Sequence, residues 1–210
     1  MLKLLQQFNY TPPHIEHYDD GVLKIERGTR YGWALTVNNQ RWMTYNTLNH
    51  EQAFEFYSHY DLARGHCICT GLGFGIREQW LLTKPEVTKI TVLEKNKEVI
   101  EYHQHIKSPM MKDIEVIHVD AQEYTGECDT LLFDHVEFFN KKSDIVRLVK
   151  QCATNIKHDT LWFWPLELLI SGQQPTDYKV LRSILPTLPD LDKETLLLYT
   201  GMYNINQHTV

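Results

Sequence analysis

Three patterns in the chain predict its fold class. The first 46 residues hold short runs rich in β-branched and aromatic side chains. From His66 onward, short apolar runs alternate with segments of helical period. The first of those runs empties into glycines, as a strand does when it turns into a helix. Together they predict an α/β protein: a doubly wound, mostly parallel sheet with a small N-terminal antiparallel β cap. The cap is expected over residues 1–48 and the larger α/β unit over 49–210.

In chain order, Val22–Glu26, Tyr31–Val37 and Gln40–Tyr45 read as cap strands. Asn38-Asn39 separates the last two, and asparagine tolerates the positive φ of a tight hairpin turn. Asn49 with Gln52 three residues later resembles a capping box, and Ala53, Phe54, Tyr57 and Leu62 continue at helical spacing. Strands then follow at His66–Thr70, Lys89–Leu93, Ile114–Val119, Thr130–Phe133 and Leu161–Trp164, with a last one expected at Thr195–Thr200. Helices are expected through Gln79–Leu82, over Lys95–Lys107 with Val99, Ile100 and Ile106 inward, and over Asp177–Leu185. The clearest is Asp144–Lys157, where Ile145, Val146, Leu148, Val149, Cys152, Ala153 and Ile156 form one apolar stripe.

Composition narrows the function. With 42% hydrophobic and 23% charged positions in 210 residues, the chain can bury a core and cover it with polar surface. Its net charge of −6 has the wrong sign for displacing counterions from phosphates, so nucleic acid is not an expected partner. The four cysteines show no CxxC and read as buried thiols in a reducing compartment. The eleven histidines, including His14/His17 and His103/His105, lack zinc-site spacing, so no metal is expected. Leu161–Ile170, the longest apolar stretch, is broken by Pro165 and Glu167. It is about half a membrane span, so a cytoplasmic protein without membrane contact is expected.

In a doubly wound sheet, ligands bind at the carboxyl ends of the strands. There the first strand runs into Gly71-Leu72-Gly73-Phe74-Gly75, and glycines let a backbone approach a ligand closely. Ile76 stands where a dinucleotide fingerprint wants glycine, and no Gly-Lys-Ser/Thr supplies a P-loop. The second strand ends in Glu94, about twenty residues on, where a carboxylate can accept both ribose hydroxyls of a nucleoside. The third ends in Asp120-Ala121 and the fourth in Asp134-His135. Each acid could also cap the helix that follows it. Three acids ending three strands behind a glycine loop favour a cationic nucleoside over a pyrophosphate.

Cys67 to about His135 resembles the cofactor half of the class I S-adenosylmethionine-dependent methyltransferase fold, closest to its spermidine-synthase-like branch. The residues that carry the resemblance are Gly75-Ile76-Arg77-Glu78, Thr91-Val92-Leu93-Glu94 and His118-Val119-Asp120-Ala121. A helix opening with His50-Glu51 after a β cap extends it upstream. The resemblance implies a Rossmann-like methyltransferase fold and S-adenosylmethionine as cofactor. It implies binding by Gly71, Gly73, Gly75, Glu94, Asp120, Ala121 and His50. Phe74 falls where polyamine synthases carry an acid, and Asp134-His135-Val136-Glu137 keeps only the first acid of their amine-gripping segment. Cys69 stands where methyltransferases have an acid two residues before the first glycine.

The expected activity is therefore methyl transfer to a small-molecule acceptor, with Asp134 or His135 as general base if the acceptor must lose a proton. The rivals are aminopropyl transfer from the decarboxylated cofactor and nucleoside binding without catalysis. A homodimer is compatible with the sequence. Tyr45 beside His50 and Glu51 could close over the cofactor, and Trp162, Trp164 and Pro165 could wall the acceptor pocket. All of these residues also suit ordinary packing.

Overall fold

A computed structural model describes residues 10–28, 32–46, 56–135, 142–164, 166 and 175–199 of the chain. Its N-terminal part is an antiparallel sheet of β1 (Tyr18–Asp19), β2 (Leu23–Gly28), β3 (Gly32–Val37) and β4 (Gln40–Tyr45), ordered as in the chain. In β2, Leu23 and Ile25 are buried while Lys24 and Glu26 face solvent and pair at 2.8 Å, the alternation of a half-buried strand. Asn38 and Asn39 have φ of 50° and 63°, so the expected hairpin turn forms with both central residues left-handed. The β3–β4 register slips at Leu35/Thr36, where Arg41 and Met43 find partners and Trp42 does not. This β-bulge leaves Trp42 48% exposed.

The chain continues through α1 (Tyr57–Leu62), β5 (Gly65–Thr70), α2 (Ile76–Leu81), β6 (Val87–Glu94) and α3 (Lys97–His105). A 3₁₀ turn (Pro109–Lys112) leads to β7 (Glu115–His118), β8 (Gly126–Glu127) and β9 (Thr130–Phe133). Then come α4 (Lys142–Asn155), β10 (Ile156–Lys157), β11 (Thr160–Phe163) and α5 (Pro175–Ile184). The main sheet has the order β11-β9-β5-β6-β7, with every pair parallel. The chain lays β6 and β7 on one side of β5, then returns to lay β9 and β11 on the other. This is the expected doubly wound, Rossmann-like order, with its reversal between β5 and β9. All four residues of β9 are buried, as are Leu161, Trp162 and Phe163 of β11, because elements cover both faces of a parallel sheet. Trp162 belongs to this core rather than to a pocket wall: it is fully buried and donates to the Ser58 hydroxyl at 2.8 Å.

Two expectations are corrected. The last strand, expected at Thr195–Thr200, is a helix over 193–199. The Asp192 carboxylate accepts the Thr195 N–H at 2.7 Å, an N-cap bond that starts the helix. Leu196 and Tyr199, three apart, are buried, while Leu197 and Leu198 are 60% and 45% exposed, which is a helical and not an alternating pattern. The helix expected to reach Lys157 ends at Asn155, and Ile156–Lys157 pairs in parallel with β8. The start expected at Asn49 and the residues His50, Glu51 and Pro165 lie outside the described residues. Among the described residues, no helix is long and apolar enough to cross a membrane.

Candidate functional site

The carboxyl ends of β5, β6, β7 and β9 bring together the described residues that were expected to form a site. The loop after β5 starts at Gly71, whose N–H continues the ladder to the Leu93 carbonyl at 2.9 Å. Gly71 has φ +77°, and a Cβ there would sit 2.8 Å from the Asp134 carbonyl oxygen. The first glycine is thus required by the close approach of β9, and no other residue fits. Gly75, also left-handed at φ +70°, ends the loop, its N–H bonded to the Leu72 carbonyl at 2.8 Å. At Gly73 a Cβ would come within 2.8 Å of Met43 Sδ, so the antiparallel sheet lies directly against the loop. Phe74 is fully buried.

Glu94, at the end of β6, is only 4% exposed and clasps this loop. Its Oε2 accepts the Leu72 N–H at 2.7 Å, and its Oε1 accepts the Asn96 N–H at 2.7 Å and the Asn96 side-chain amide at 3.1 Å. A carboxylate has about four acceptor positions, so these bonds leave one, on Oε2. Glu94 therefore has room for one further donor, where the expectation of two ribose hydroxyls needs two. Next along, Asp120 accepts from the Lys95 ammonium at 2.8 Å and from the Gln122 N–H at 3.0 Å. Burial works against its charge, but these two donors and the nearby His135 hold the carboxyl below the usual carboxylate range. Ala121 beside it is 5% exposed and adds a small apolar wall.

On the other side of the reversal, the Asp134 N–H donates to the Thr70 hydroxyl at 2.8 Å, tying the end of β9 to the end of β5. One Asp134 oxygen lies 3.7 Å from an Arg77 nitrogen. Among the described residues, both nitrogens of the buried His135 ring lack a hydrogen-bond partner, and the ring tilts over Phe133 at a centroid distance of 4.1 Å. Burial pushes its pKa down to about 4 against the pull of Asp120, so the imidazole is neutral at pH 7. That weakens His135 as a general base and suits it to hydrogen bonding in the neutral form.

The residues which sequence reasoning undervalued lie beneath the loop. Arg77 and Glu78 are 3% and 1% exposed and form a buried ion pair, Glu78 Oε1 accepting from two Arg77 nitrogens at 2.6 and 2.8 Å. Arg77 also donates to the Gly71 carbonyl at 2.7 Å and the Thr70 carbonyl at 3.3 Å. It faces the protein rather than a ligand, holding the ends of β5 and β9 together. Burial pushes the Glu78 carboxyl up, with the guanidinium opposing it. His103 of α3 contacts the loop from below, its Nε2 lying 2.8 Å from the Gly73 carbonyl oxygen. Among the described residues no group of three His, Cys, Asp or Glu side chains is arranged to hold a metal ion.

No family model matches the sequence, and no curated protein matches it either. Among solved structures, the chain is similar to spermidine synthase from Thermotoga maritima, with 13% identity, 72% of this chain and 56% of that one covered, and a TM-score of 0.48. It is similar to a spermidine synthase in complex with the transition state analogue AdoDATO, with 14% identity, 69% and 55% covered, and a TM-score of 0.49. It is also similar to the methyltransferase domain of bacterial CtHen1-C, with 15% identity, 54% and 65% covered, and a TM-score of 0.44. The chain spans just over half the length of the two synthases. All three TM-scores lie below 0.5, and the likenesses stand as similarity alone.

Proposed function

We propose that this chain binds S-adenosylmethionine at the carboxyl ends of β5, β6, β7 and β9 and transfers its methyl group to a small-molecule acceptor. The observation that carries the reading is the clasp between Glu94 and the glycine loop. It leaves one carboxylate position on Oε2 beside a close-approaching backbone, with Asp120 on the next strand. Glu94 is the residue for a ribose hydroxyl, and Asp120 with Ala121 for the base. Bound there, the cofactor would supply a methyl group on a positively charged sulfur. The protein then has to align the acceptor with that carbon and exclude water. Asp134, at the reversal, is the residue for taking the acceptor's proton, and the neutral His135 for a hydrogen bond in the same crevice. The balance is simple: the acceptor–carbon bond forms, the carbon–sulfur bond breaks, and the acceptor's proton passes to Asp134.

Aminopropyl transfer is the second reading, favoured by the carboxylate of Asp134, partly exposed where an amine would approach. Calorimetric titration with S-adenosylmethionine, S-adenosylhomocysteine, the decarboxylated cofactor and NAD tests both. Micromolar binding of the first two is the expected result. A preference for the decarboxylated form, with turnover of putrescine, would establish the second reading instead. Binding of none of the four would remove the nucleoside site altogether. With an acceptor in hand, Asp134→Asn is expected to spare cofactor binding and lower turnover by about 10²-fold or more.

A further inference from the structure

The planar guanidinium of buried Arg77 is held along one edge and one face. The edge made by Nε and Nη2 meets Glu78 Oε1 at 2.8 and 2.6 Å, and Nη2 also donates to the Gly71 and Thr70 carbonyls. The Phe56 ring covers one face, its centroid 5.8 Å from the guanidinium carbon. Nη1 is the remaining corner. It is buried, it has no hydrogen-bond partner among the described residues, and it lies 3.7 Å from Asp134 Oδ2. Asp134 is anchored at the same two residues: its N–H donates to the Thr70 hydroxyl, and its carbonyl oxygen lies 2.8 Å from where a Cβ on Gly71 would be. The backbone therefore sets the spacing between guanidinium and carboxylate.

At 3.7 Å the contact is an ion pair and not a hydrogen bond. It secures the charge of the Asp134 carboxylate without spending one of its acceptor positions. Glu94 is the opposite case, with three acceptor positions spent on Leu72 and Asn96. The Asp134 side chain is 24% exposed, so part of it is open to what enters the crevice. Among the described residues, the other titratable groups gathered here are neutral or engaged. Burial keeps Cys69 of β5, His59 of α1 and His135 neutral, raising the pKa of the thiol and lowering those of the two rings. The carboxylates of Glu78, Glu94 and Asp120 are engaged by Arg77, the loop and Lys95. We infer that Arg77 is a positioning residue for the transfer, its Nη1 holding the Asp134 carboxylate as an anion turned to the acceptor. This rests on the reading of Asp134 as the group that takes the acceptor's proton. A carboxylate beside a buried cation is a weaker base with a lasting charge. It therefore orients an acceptor N–H or O–H first. It takes the proton as the acceptor–carbon bond forms and the carbon–sulfur bond breaks.

The test follows the Asp134 carboxyl carbon by NMR in the full chain carrying ¹³C-aspartate, without ligand, with Asp134→Asn to assign the signal. The wild type is compared with the double variant Arg77→Met, Glu78→Leu, which replaces the buried pair by apolar side chains and leaves the local net charge unchanged. Between about pH 7 and 4.5 the wild-type signal is expected to stay at its ionised position. In the double variant it is expected to move, the proton affinity of the carboxylate rising about tenfold. Coincident curves would overturn the inference, since a merely structural Arg77 changes stability and leaves the curve in place. Should the double variant not fold, the wild type alone decides, and a carboxyl that begins to protonate above about pH 5 overturns the inference. With an acceptor in hand, kcat/KM should fall at a higher pH in the double variant than in the wild type. The same acid limb in both would remove Arg77 from the transfer. If the wild type binds no nucleoside, the functional reading fails, and the titration still decides whether Arg77 holds Asp134.

Discussion

The two ends of the parallel sheet both gather polar side chains, but they use them differently. At the amino end, the Asp129 carboxylate accepts the His66 N–H at 2.6 Å, and the Thr130 hydroxyl bonds both the N–H and the carbonyl of Arg64. Lys89 and Glu115 pair at 2.7 Å, each about half exposed, and Thr91 joins Glu115 to His66. None of these side chains has a buried donor or acceptor without a partner. At the carboxyl end, an ion pair is buried, and among the described residues one Arg77 nitrogen, both His135 nitrogens and His103 Nδ1 find no hydrogen-bond partner. Buried unsatisfied polar atoms cost stability, and among the described residues His59, Gln79 and Ser108 carry others on the elements that cover the sheet, so the contrast between the two ends concerns the strand ends and the glycine loop alone. The carboxyl end is where doubly wound sheets bind ligands.

The sharpest way to break this contrast is Arg77→Met. It strands Glu78 as a buried charge and frees the Thr70 and Gly71 carbonyls, and the expected loss is about 3–5 kcal/mol in urea unfolding. Adding Glu78→Leu should restore the share due to the stranded charge. A loss no greater than that of an exposed pair would end the claim that the carboxyl end carries special electrostatic weight.

Acid comes next in size. His103 and His135 have pKa values near 4 in the fold against 6.5 for an ordinary histidine, and buried His59 is lowered as well. The unfolded chain therefore binds more protons, and stability rises with pH. The contribution is fully present above about pH 6.5 and is lost as the pH falls toward 4, at roughly 3 kcal/mol for His103 alone. His66 at the amino end is pushed the same way, by burial and then by Lys89. Unfolding midpoints between pH 7.5 and 4.5 should show a slope that His103→Gln visibly flattens. A slope unchanged in that variant would deny His103 its neutral, buried state.

Glu94→Gln should weaken binding of S-adenosylhomocysteine by about 1–3 kcal/mol, since one acceptor in the clasp becomes a donor. Unchanged affinity would take Glu94 out of the site. The smallest effect is expected of Lys89→Met at the amino end: below about 1 kcal/mol in stability, and none on nucleoside affinity, because the pair it breaks is exposed. A change in affinity there would show the two ends to be coupled.

Much of this contrast is written in local patterns. Thr130–Phe133 is a strand within the residues its apolar run marked, and Asn38-Asn39 makes its turn because two short polar residues tolerate positive φ. The acids Glu94, Asp120 and Asp134 end the strands they were expected to end, since period and punctuation locate a strand's last residue to within one or two positions. The helix over 193–199 was misread because Thr195 to Thr200 is short and apolar, and such runs fit either period until a partner surface selects one. Here that partner is the core facing Leu196 and Tyr199, whose hydroxyl donates to Asp61 at 2.6 Å.

Nothing local foretold that Arg77 would turn inward onto Glu78, or that His103, one of eleven histidines, would reach the Gly73 carbonyl thirty residues back. Nor could spacing reveal that Glu94 spends three of its acceptor positions on Leu72 and Asn96. Strand order, turn chemistry and the placing of acids follow from periodicity and steric preference, which act between neighbours in the chain. The orientation of a buried polar group is decided by which donors and acceptors the folded sheet brings within about 3 Å of it, and that set exists only once distant segments have packed.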